Sequence, residues 1–156
     1  MIIDYQLVLS DAQTATTVAA TTSTYYIDML SAGFSHNDEL YAQFLVDTAF
    51  TVTAASSITM SIIISSETTF SSQSLVCSRV INVDNFTTTA ATNTIAAGKV
   101  LATLKLGPDL FKQDPGAGTA SYRYLFATFA GSVTMASGKF DCRLVKDIDM
   151  TMDKVL

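Results

Sequence analysis

A strict alternation of residue types across residues 39–51 limits the folds open to this chain more than any other feature. Leu40, Ala42, Phe44 and Val46 recur at every second position, and the run ends in an Asp-Thr-Ala turn. A period of two puts these side chains on one face of an extended segment, which is the pattern of a half-buried β-strand. We therefore predict a central strand here, with the other strands of the chain as its partners.

The rest of the chain repeats this pattern in short segments separated by polar turns. About a quarter of the 156 residues are Ser or Thr, and Thr and the β-branched aliphatic residues fit pleated surfaces better than helices. No alternation of strands with helices is visible. The sequence therefore predicts an all-β protein, a jelly roll or antiparallel β-sandwich of about eight strands. The predicted strands cover residues 24–30, 39–51, 57–66, 74–83, 99–106, 122–129 and 138–145, and residues 1–10 are predicted to be a short strand or an extended arm. Residues 51–57 and 82–97 are predicted to be connections without strand structure.

The length of the chain predicts one main domain with an extension at each end. We predict a jelly-roll domain over residues 25–147, an extended N-terminal arm over residues 1–24 and a C-terminal tail over residues 148–156. Residues 14–24 are almost entirely Thr, Ala, Val and Ser without core periodicity. We expect them to lie extended over another surface, and disorder in isolation is the alternative.

Charge and hydropathy argue against two classes of partner. Charged residues make up 15% of the chain, the net charge is −5 and the basic residues are scattered singly, whereas binding to a nucleic-acid backbone needs clustered Lys and Arg. The longest apolar run, residues 58–64, is too short to span a bilayer. The N-terminal Met-Ile-Ile-Asp-Tyr-Gln lacks the basic residues of a secretory signal. We therefore expect neither nucleic acid nor a membrane as a partner.

Candidates for catalysis and metal binding are few. His36 is the one histidine, and the Gly-x-Ser-x-Gly motif that would supply a serine nucleophile is absent. Glu39, Asp47, Glu67 and Asp141 occupy turns or ordinary strands, where acids are normally solvated rather than paired in a cleft. The His/Cys clusters of zinc sites and the spacing of EF-hands are absent as well. We therefore predict a protein that is not an enzyme and that binds no metal or cofactor.

The two cysteines, Cys77 and Cys142, are too far apart in sequence for a zinc knuckle. They are able to pair if the fold brings them together. For a protein made in the cytosol, buried free thiols are the favoured interpretation.

The strand predicted over residues 122–129 is the richest in aromatic residues. Tyr122, Tyr124 and Phe126 share one face by parity, and a face of this kind is expected to be buried. We favour the core or a subunit interface over a platform on which sugars stack. The candidates for these positions are Tyr122, Tyr124, Phe126 and Phe129. The residues considered so far predict a binding or structural module.

Two stretches of the chain resemble a family of viral structural proteins. Residues 1–13, Met-Ile-Ile-Asp-Tyr-Gln-Leu-Val-Leu-Ser-Asp-Ala-Gln, are similar to the opening Met-Ile-x-Asp-x-Gln-x-x-x-Ser-Asp-Ala-Gln of capsid cement (decoration) proteins of tailed bacteriophages, of the type found on short-tailed Bordetella phage. Residues 40–51, which begin with Leu-Tyr and end with Val-Asp-Thr-Ala-Phe-Thr, resemble a second segment of that family. Weaker similarities follow in order at residues 70–72, 98–102, 122–129 and 144–147.

The resemblance implies a jelly-roll protein on the outer surface of an HK97-type icosahedral shell. It implies homodimers that bridge neighbouring subunits of the major capsid protein, in the virion, after synthesis in the host cytoplasm. The turn around residues 114–116 and the tail beyond Asp147 depart from the family pattern, which leaves a trimer open. An acidic chain is repelled by packaged DNA, so the outside of the shell suits a net charge of −5.

We expect residues 1–24 to be the part of the chain that contacts the capsid or a partner, since an extended arm is suited to lie across a neighbour as an added strand. A carbohydrate- or receptor-binding module of a tail or head fibre is the alternative function, and a glycan-degrading enzyme is the third. The candidates for capsid contact are the motif residues Asp4, Tyr5, Gln6, Ser10, Asp11 and Gln13.

Overall fold

The computed structural model describes residues 7–14, 20–29, 32, 39–53, 57–69, 73–82, 92–106, 123–132 and 138–146. These residues form eleven β-strands and no α-helix, so the predicted all-β class is confirmed. The strands are β1 (Val8–Thr14), β2 (Thr21–Thr22), β3 (Ile27–Asp28), β4 (Leu40–Thr48), β5 (Phe50–Thr53), β6 (Ser57–Ser65), β7 (Gln73–Asn82), β8 (Thr92–Ile95), β9 (Val100–Leu106), β10 (Tyr124–Gly131) and β11 (Lys139–Lys146).

The strands form two larger sheets and one two-stranded ribbon. Sheet A has the order β1-β11-β4-β9, and sheet B has the order β2-β10-β6-β7, with β3 also paired to β10. The ribbon consists of β5 and β8. The pairings between the described strands are antiparallel. The strand predicted to be central, β4, lies in the interior of sheet A between β11 and β9.

Six of the eight pairings are nested along the chain, as in one long hairpin folded over on itself. The outermost pair is β1 with β11, followed by β2 and β3 with β10, then β4 with β9, then β5 with β8, and finally β6 with β7. Two further pairings join these units side by side, β11 with β4 in sheet A and β10 with β6 in sheet B. The predicted sandwich of antiparallel sheets is therefore present.

The core lies between sheets A and B and is built from alternate residues of their strands. Phe44 of β4 meets Phe129 of β10 across the two sheets, with ring centroids 5.6 Å apart and an interplanar angle of 84°. This edge-to-face arrangement is one that aromatic pairs favour. The apolar face predicted for β6 is confirmed, because all four of its members are buried: Ile58, Met60, Ile62 and Ile64.

The predicted N-terminal arm is in part a strand of the sandwich. β1 is an edge strand of sheet A, although two register shifts interrupt its pairing with β11, and Leu9 is buried in the core. β2 pairs with β10 in sheet B. The boundary that we predicted at residue 24 therefore does not separate an arm from the sandwich within the described residues. Residues 1–6, residues 15–19 and the predicted tail, residues 148–156, lie outside that part of the chain.

Most of β5 lies in residues 51–57 and all of β8 lies in residues 82–97, two segments that we predicted to be connections, so that prediction was wrong there. Phe50 and Ile95 are paired at one end of the ribbon, and both side chains are buried. Thr51 and Thr94 are paired next to them and exposed, with their hydroxyl oxygens 3.0 Å apart. The buried pair of Phe50 and Ile95 joins two segments in which most other residues are polar.

Candidate functional site

The candidate contact residues of β1 differ in their exposure. Ser10 is buried, and its hydroxyl donates to the carbonyl oxygen of Phe140 at 3.2 Å. Gln13 accepts two hydrogen bonds at Oε1, from the backbone N–H of Thr24 at 3.0 Å and from the Thr24 hydroxyl. Asp11 is exposed. Ser10 and Gln13 thus bind parts of the chain to one another, and Asp11 presents its carboxylate to solvent. The remaining candidates, Asp4, Tyr5 and Gln6, lie outside the described residues.

The aromatic strand, β10, has two faces with different surroundings. Phe129 is buried in the core. Tyr124 and Phe126 lie on the opposite face of sheet B, where both contact Tyr26, with ring centroids 5.2 Å and 5.8 Å away. Tyr26 itself is 45% exposed. The structure therefore places Phe129 in the core and Tyr124 and Phe126 on the outer face of sheet B, whereas the fourth candidate, Tyr122, lies outside the described residues.

An ion pair anchors β3 to the beginning of β10. Arg123 donates from Nε and Nη2 to the two carboxylate oxygens of Asp28, with an Nε to Oδ1 distance of 2.6 Å. The guanidinium also lies 5.3 Å from the ring centroid of Tyr124. A two-pronged pair of this kind fixes orientation as well as charge, so it holds a two-residue strand in register on the edge of sheet B.

On the outer face of sheet A, a row of paired residues crosses all four strands, and three of its four members are polar. Val8 of β1, Arg143 of β11, Gln43 of β4 and Thr103 of β9 are paired in register. Arg143 donates from Nε and Nη2 to the single acceptor Oε1 of Gln43, at 3.1 Å and 2.7 Å. Thr103 Oγ1 is buried without a hydrogen-bond partner. The centre of this row is therefore a half-buried guanidinium that is solvated by an amide rather than by a carboxylate.

Asp141 lies two residues before Arg143 on β11 and on the same face. Its Oδ1 accepts a hydrogen bond from the backbone N–H of Ala12 at 2.8 Å, and Ala12 has a φ of 50°, in the left-handed region. Burial raises the pKa of the Asp141 carboxyl above its usual value of 3.8, and the carboxylates of Asp47 and Asp11 raise the pKa further. The hydrogen bond from the Ala12 N–H and the charge of Arg143 lower the pKa of the Asp141 carboxyl.

Lys105 of β9 forms an ion pair with Glu39 within the chain. Lys105 Nζ lies 2.6 Å from Glu39 Oε1, and both side chains are more than half exposed. The Tyr41 hydroxyl donates to Glu39 at 3.1 Å, and Lys105 lies 5.8 Å from the Tyr41 ring centroid. These contacts lower the pKa of Glu39, first through the hydrogen bond from Lys105. An exposed pair of this kind contributes little to stability.

The residues considered for catalysis are placed as follows. Asp47 and Glu67 are exposed and accept hydrogen bonds from the neighbouring hydroxyls of Thr48 and Thr69. His36 lies outside the described residues. Within the described ranges no group of three His, Cys, Asp or Glu residues is placed to hold a metal ion. The same ranges contain no helix of the length and apolarity needed to cross a membrane.

The two cysteines are free thiols. Cys142 of β11 is fully buried in the core. Cys77 of β7 is half-buried and packs against the core. Burial raises the pKa of the Cys77 thiol to about 11 and that of Cys142 well above its usual value. Both therefore stay protonated and unreactive at neutral pH.

Sequence reasoning missed Arg143 and Gln43, the two residues at the centre of the outer face of sheet A. The sequence does show that each occupies a polar position in an alternating strand. Their pairing follows only from the register of β4 against β11. A scan of the sequence against models of protein families finds no match, and a search of curated proteins finds none either.

Proposed function

We propose that this chain is a capsid cement protein that binds the outer surface of an HK97-type icosahedral shell and stabilises it by bridging neighbouring subunits of the major capsid protein. In this proposal the chain is a structural protein of the virion rather than an enzyme, and it needs no cofactor. Its partners are the major capsid protein and a second copy of itself, with a trimer as the alternative assembly, and neither nucleic acid nor a membrane takes part.

The nested pairing of the strands supports a jelly-roll assignment. If β2 and β3 are taken as one interrupted strand and the ribbon as an insertion, eight strands remain, four in each sheet. Each pairs with the strand at the mirrored position along the chain, as expected when a long hairpin is rolled into a double sheet. The resemblance described above implies this same fold, which is support at the level of fold only.

One structural relationship supports the proposal most directly. Residues 8–13 of the first resembling stretch belong to β1, and residues 40–48 of the second form β4. These strands flank β11, which carries the weaker similarity beginning at residue 144. Three segments that are far apart in the sequence are thus adjacent in sheet A. The residues that resemble the family therefore lie on neighbouring strands of one sheet.

The mechanism of cementing follows from symmetry. A shell repeats each contact many times, so contacts that are individually modest raise the barrier to rupture when each bound copy spans two subunits. The net charge of −5 favours a position away from packaged DNA. Asp11 offers an exposed carboxylate on the edge strand β1 for such a contact.

A reconstitution experiment tests the proposal. Purified chain is mixed with shells from which it has been stripped, and bound protein is measured by co-sedimentation through a sucrose cushion. We expect saturable binding and a higher temperature of shell disruption for decorated than for bare shells. Binding without saturation, or shells that rupture at the same temperature with and without the chain, would contradict the proposal.

Exposed tyrosines favour carbohydrate or receptor binding as the second candidate function. Tyr25 and Tyr26 are 50% and 45% exposed, and Tyr26 stands beside Tyr124 with the Arg123–Asp28 pair nearby. Aromatic faces with neighbouring polar groups suit the binding of sugar rings. A glycan array tests this function: reproducible binding that Tyr26→Ala abolishes would favour a fibre module over a cement protein.

A further inference from the structure

The outer face of sheet A is more apolar than a solvent-facing sheet surface usually is. Antiparallel sheets normally alternate apolar residues towards the core with polar residues towards water. Here the outer face carries four half-buried aliphatic residues, which are Val8, Leu45, Val100 and Val145. Such a surface is typical of an interface between proteins.

Two opposite charges at the centre of this face have no ion-pair partner among the described residues. Within that part of the chain, Arg143 is half-buried and donates to the amide of Gln43 alone, and Asp141 is half-buried and accepts from a backbone N–H alone. The ion pairs of the described part of the chain are Lys105–Glu39 and Arg123–Asp28. Partly desolvated charges are costly unless they are paired, so each of these two groups is suited to an opposite charge from another molecule.

The spacing of the two charges makes the face complementary to itself. Asp141 and Arg143 are two residues apart on one strand, about 7 Å along its axis. A two-fold axis that reverses the direction of β11 between two facing copies places Arg143 of each copy opposite Asp141 of the other. Packed sheets lie about 10 Å apart, a gap that an arginine and an aspartate side chain close together. Interfaces with two-fold symmetry form such reciprocal pairs.

We propose that two copies of this chain associate through the outer faces of sheet A, with reciprocal Arg143–Asp141 ion pairs at the centre and Val8, Leu45 and Val145 around them. This inference deepens the proposed function, on which its role in a shell rests, by naming the surface through which copies associate. The outer face of sheet B is not part of this interface.

The test is self-association of the purified chain, measured by sedimentation velocity over a concentration series without any capsid. We expect a reversible dimer for the wild-type chain. In the Arg143→Glu variant, the new glutamate of each copy faces Asp141 of the other copy. The dissociation constant of the dimer should therefore rise at least about 100-fold. Arg143→Gln, which keeps a polar side chain beside Gln43, weakens the dimer less and removes most of its dependence on salt. Arg79→Glu makes the same charge change at an exposed site on β7 of the other sheet and should leave the dimer intact.

Mixing experiments provide a stronger test of the reciprocal pairing. In a homodimer of Arg143→Glu chains, or of Asp141→Lys chains, like charges face one another. In an equimolar mixture of the two variants, opposite charges face one another, so the mixture should dimerise. Should Asp141→Lys fail to fold, the Arg143→Glu, Arg143→Gln and Arg79→Glu series decides alone. A wild-type monomer at all concentrations overturns the proposal, as does equal weakening by Arg79→Glu and Arg143→Glu. Because no shell is present, these outcomes are independent of whether the chain decorates capsids.

Discussion

Gly138 lies so close to Phe50 that a Cβ atom added at residue 138 would be 2.8 Å from the Phe50 Cβ. Gly138 has a φ of 134°, which side chains of L-residues rarely adopt. Phe50 is buried at the root of the ribbon and packs on Phe140, with ring centroids 5.1 Å apart. The glycine thus permits the close approach of β11 to the point at which β4 continues into β5.

We therefore expect Gly138→Ala to lower the free energy of unfolding by about 2–4 kcal/mol, since backbone strain and overpacking add. Urea denaturation followed by circular dichroism measures this change. Gly98→Ala is the matched control, because Gly98 also has a positive φ but nothing lies within 4 Å of an added Cβ. It should cost about 1–2 kcal/mol from strain alone. Equal losses in the two variants would show that the contact with Phe50 is unimportant.

The carboxyl of Asp141 should make stability depend on pH in an unusual direction for an acid. Its pKa is raised above 3.8, mainly by burial, so the folded chain binds this proton more tightly than the unfolded chain. Its contribution to stability is fully present below its ordinary pKa and is lost as the pH rises through the raised pKa. Asp141→Asn removes this titration, so the variant should gain stability relative to wild type as the pH rises from below 3.8 through the raised pKa of the wild-type carboxyl.

Asp141→Ala separates the charge of residue 141 from its hydrogen bond. The variant leaves the Ala12 N–H without its acceptor, which should cost about 1–2 kcal/mol relative to Asp141→Asn. Both comparisons are made by denaturation in dilute solution, below the concentration at which copies associate. If wild type and Asp141→Asn keep a constant difference across the pH range, the carboxyl does not titrate as described.

The two thiols should react slowly and in a fixed order. With a pKa of about 11, Cys77 has far less thiolate at pH 8 than an ordinary cysteine, and its greater intrinsic nucleophilicity offsets only part of the difference, so alkylation should be roughly tenfold slower. Cys142 is fully buried and should react only after unfolding. Iodoacetamide labelling followed by mass spectrometry measures both rates. Labelling of Cys142 before Cys77 in the folded protein would contradict their placement.

Truncations of the N-terminus distinguish a contact segment from a structural strand. Deletion of residues 1–6 leaves every described strand intact and should preserve stability while weakening binding to shells. Deletion of residues 1–14 also removes β1, its pairing with β11 and the buried side chain of Leu9, so the free energy of unfolding should fall by several kcal/mol, of which the Leu9 side chain alone accounts for about 2–3 kcal/mol. Full decoration of shells by the shorter deletion would show that residues 1–6 make no contact that matters.

An element could be predicted from the sequence when neighbouring residues alone determine its structure. β4 and β6 were predicted well because their alternation is long and each buries one full face. β1 was predicted only as a short strand or part of an arm, because the alternation of residue types ends near Ser10, where register shifts also interrupt the pairing with β11. The ribbon was missed because its strand structure depends on Phe50 and Ile95 meeting across 45 residues of chain.

The candidate interface on sheet A had the least signal in the sequence. Arg143 was one of several scattered basic residues, and Asp141 was one acid on an ordinary strand. Their common face, the amide of Gln43 opposite Arg143 and the absence of an ion-pair partner in the described part of the chain follow only from the register of β11 against β4 and β1. Patterns of alternation predict faces, whereas pairing decides which polar groups remain unneutralised.

The number of copies of this chain per particle tests the proposed function most directly. Quantitative mass spectrometry of purified virions, with isotope-labelled peptides of this chain and of the major capsid protein, gives the ratio of the two. A cement protein predicts a ratio near one, or another simple fraction set by icosahedral symmetry. A handful of copies per particle would contradict the proposal and would assign the chain to the tail or to a fibre.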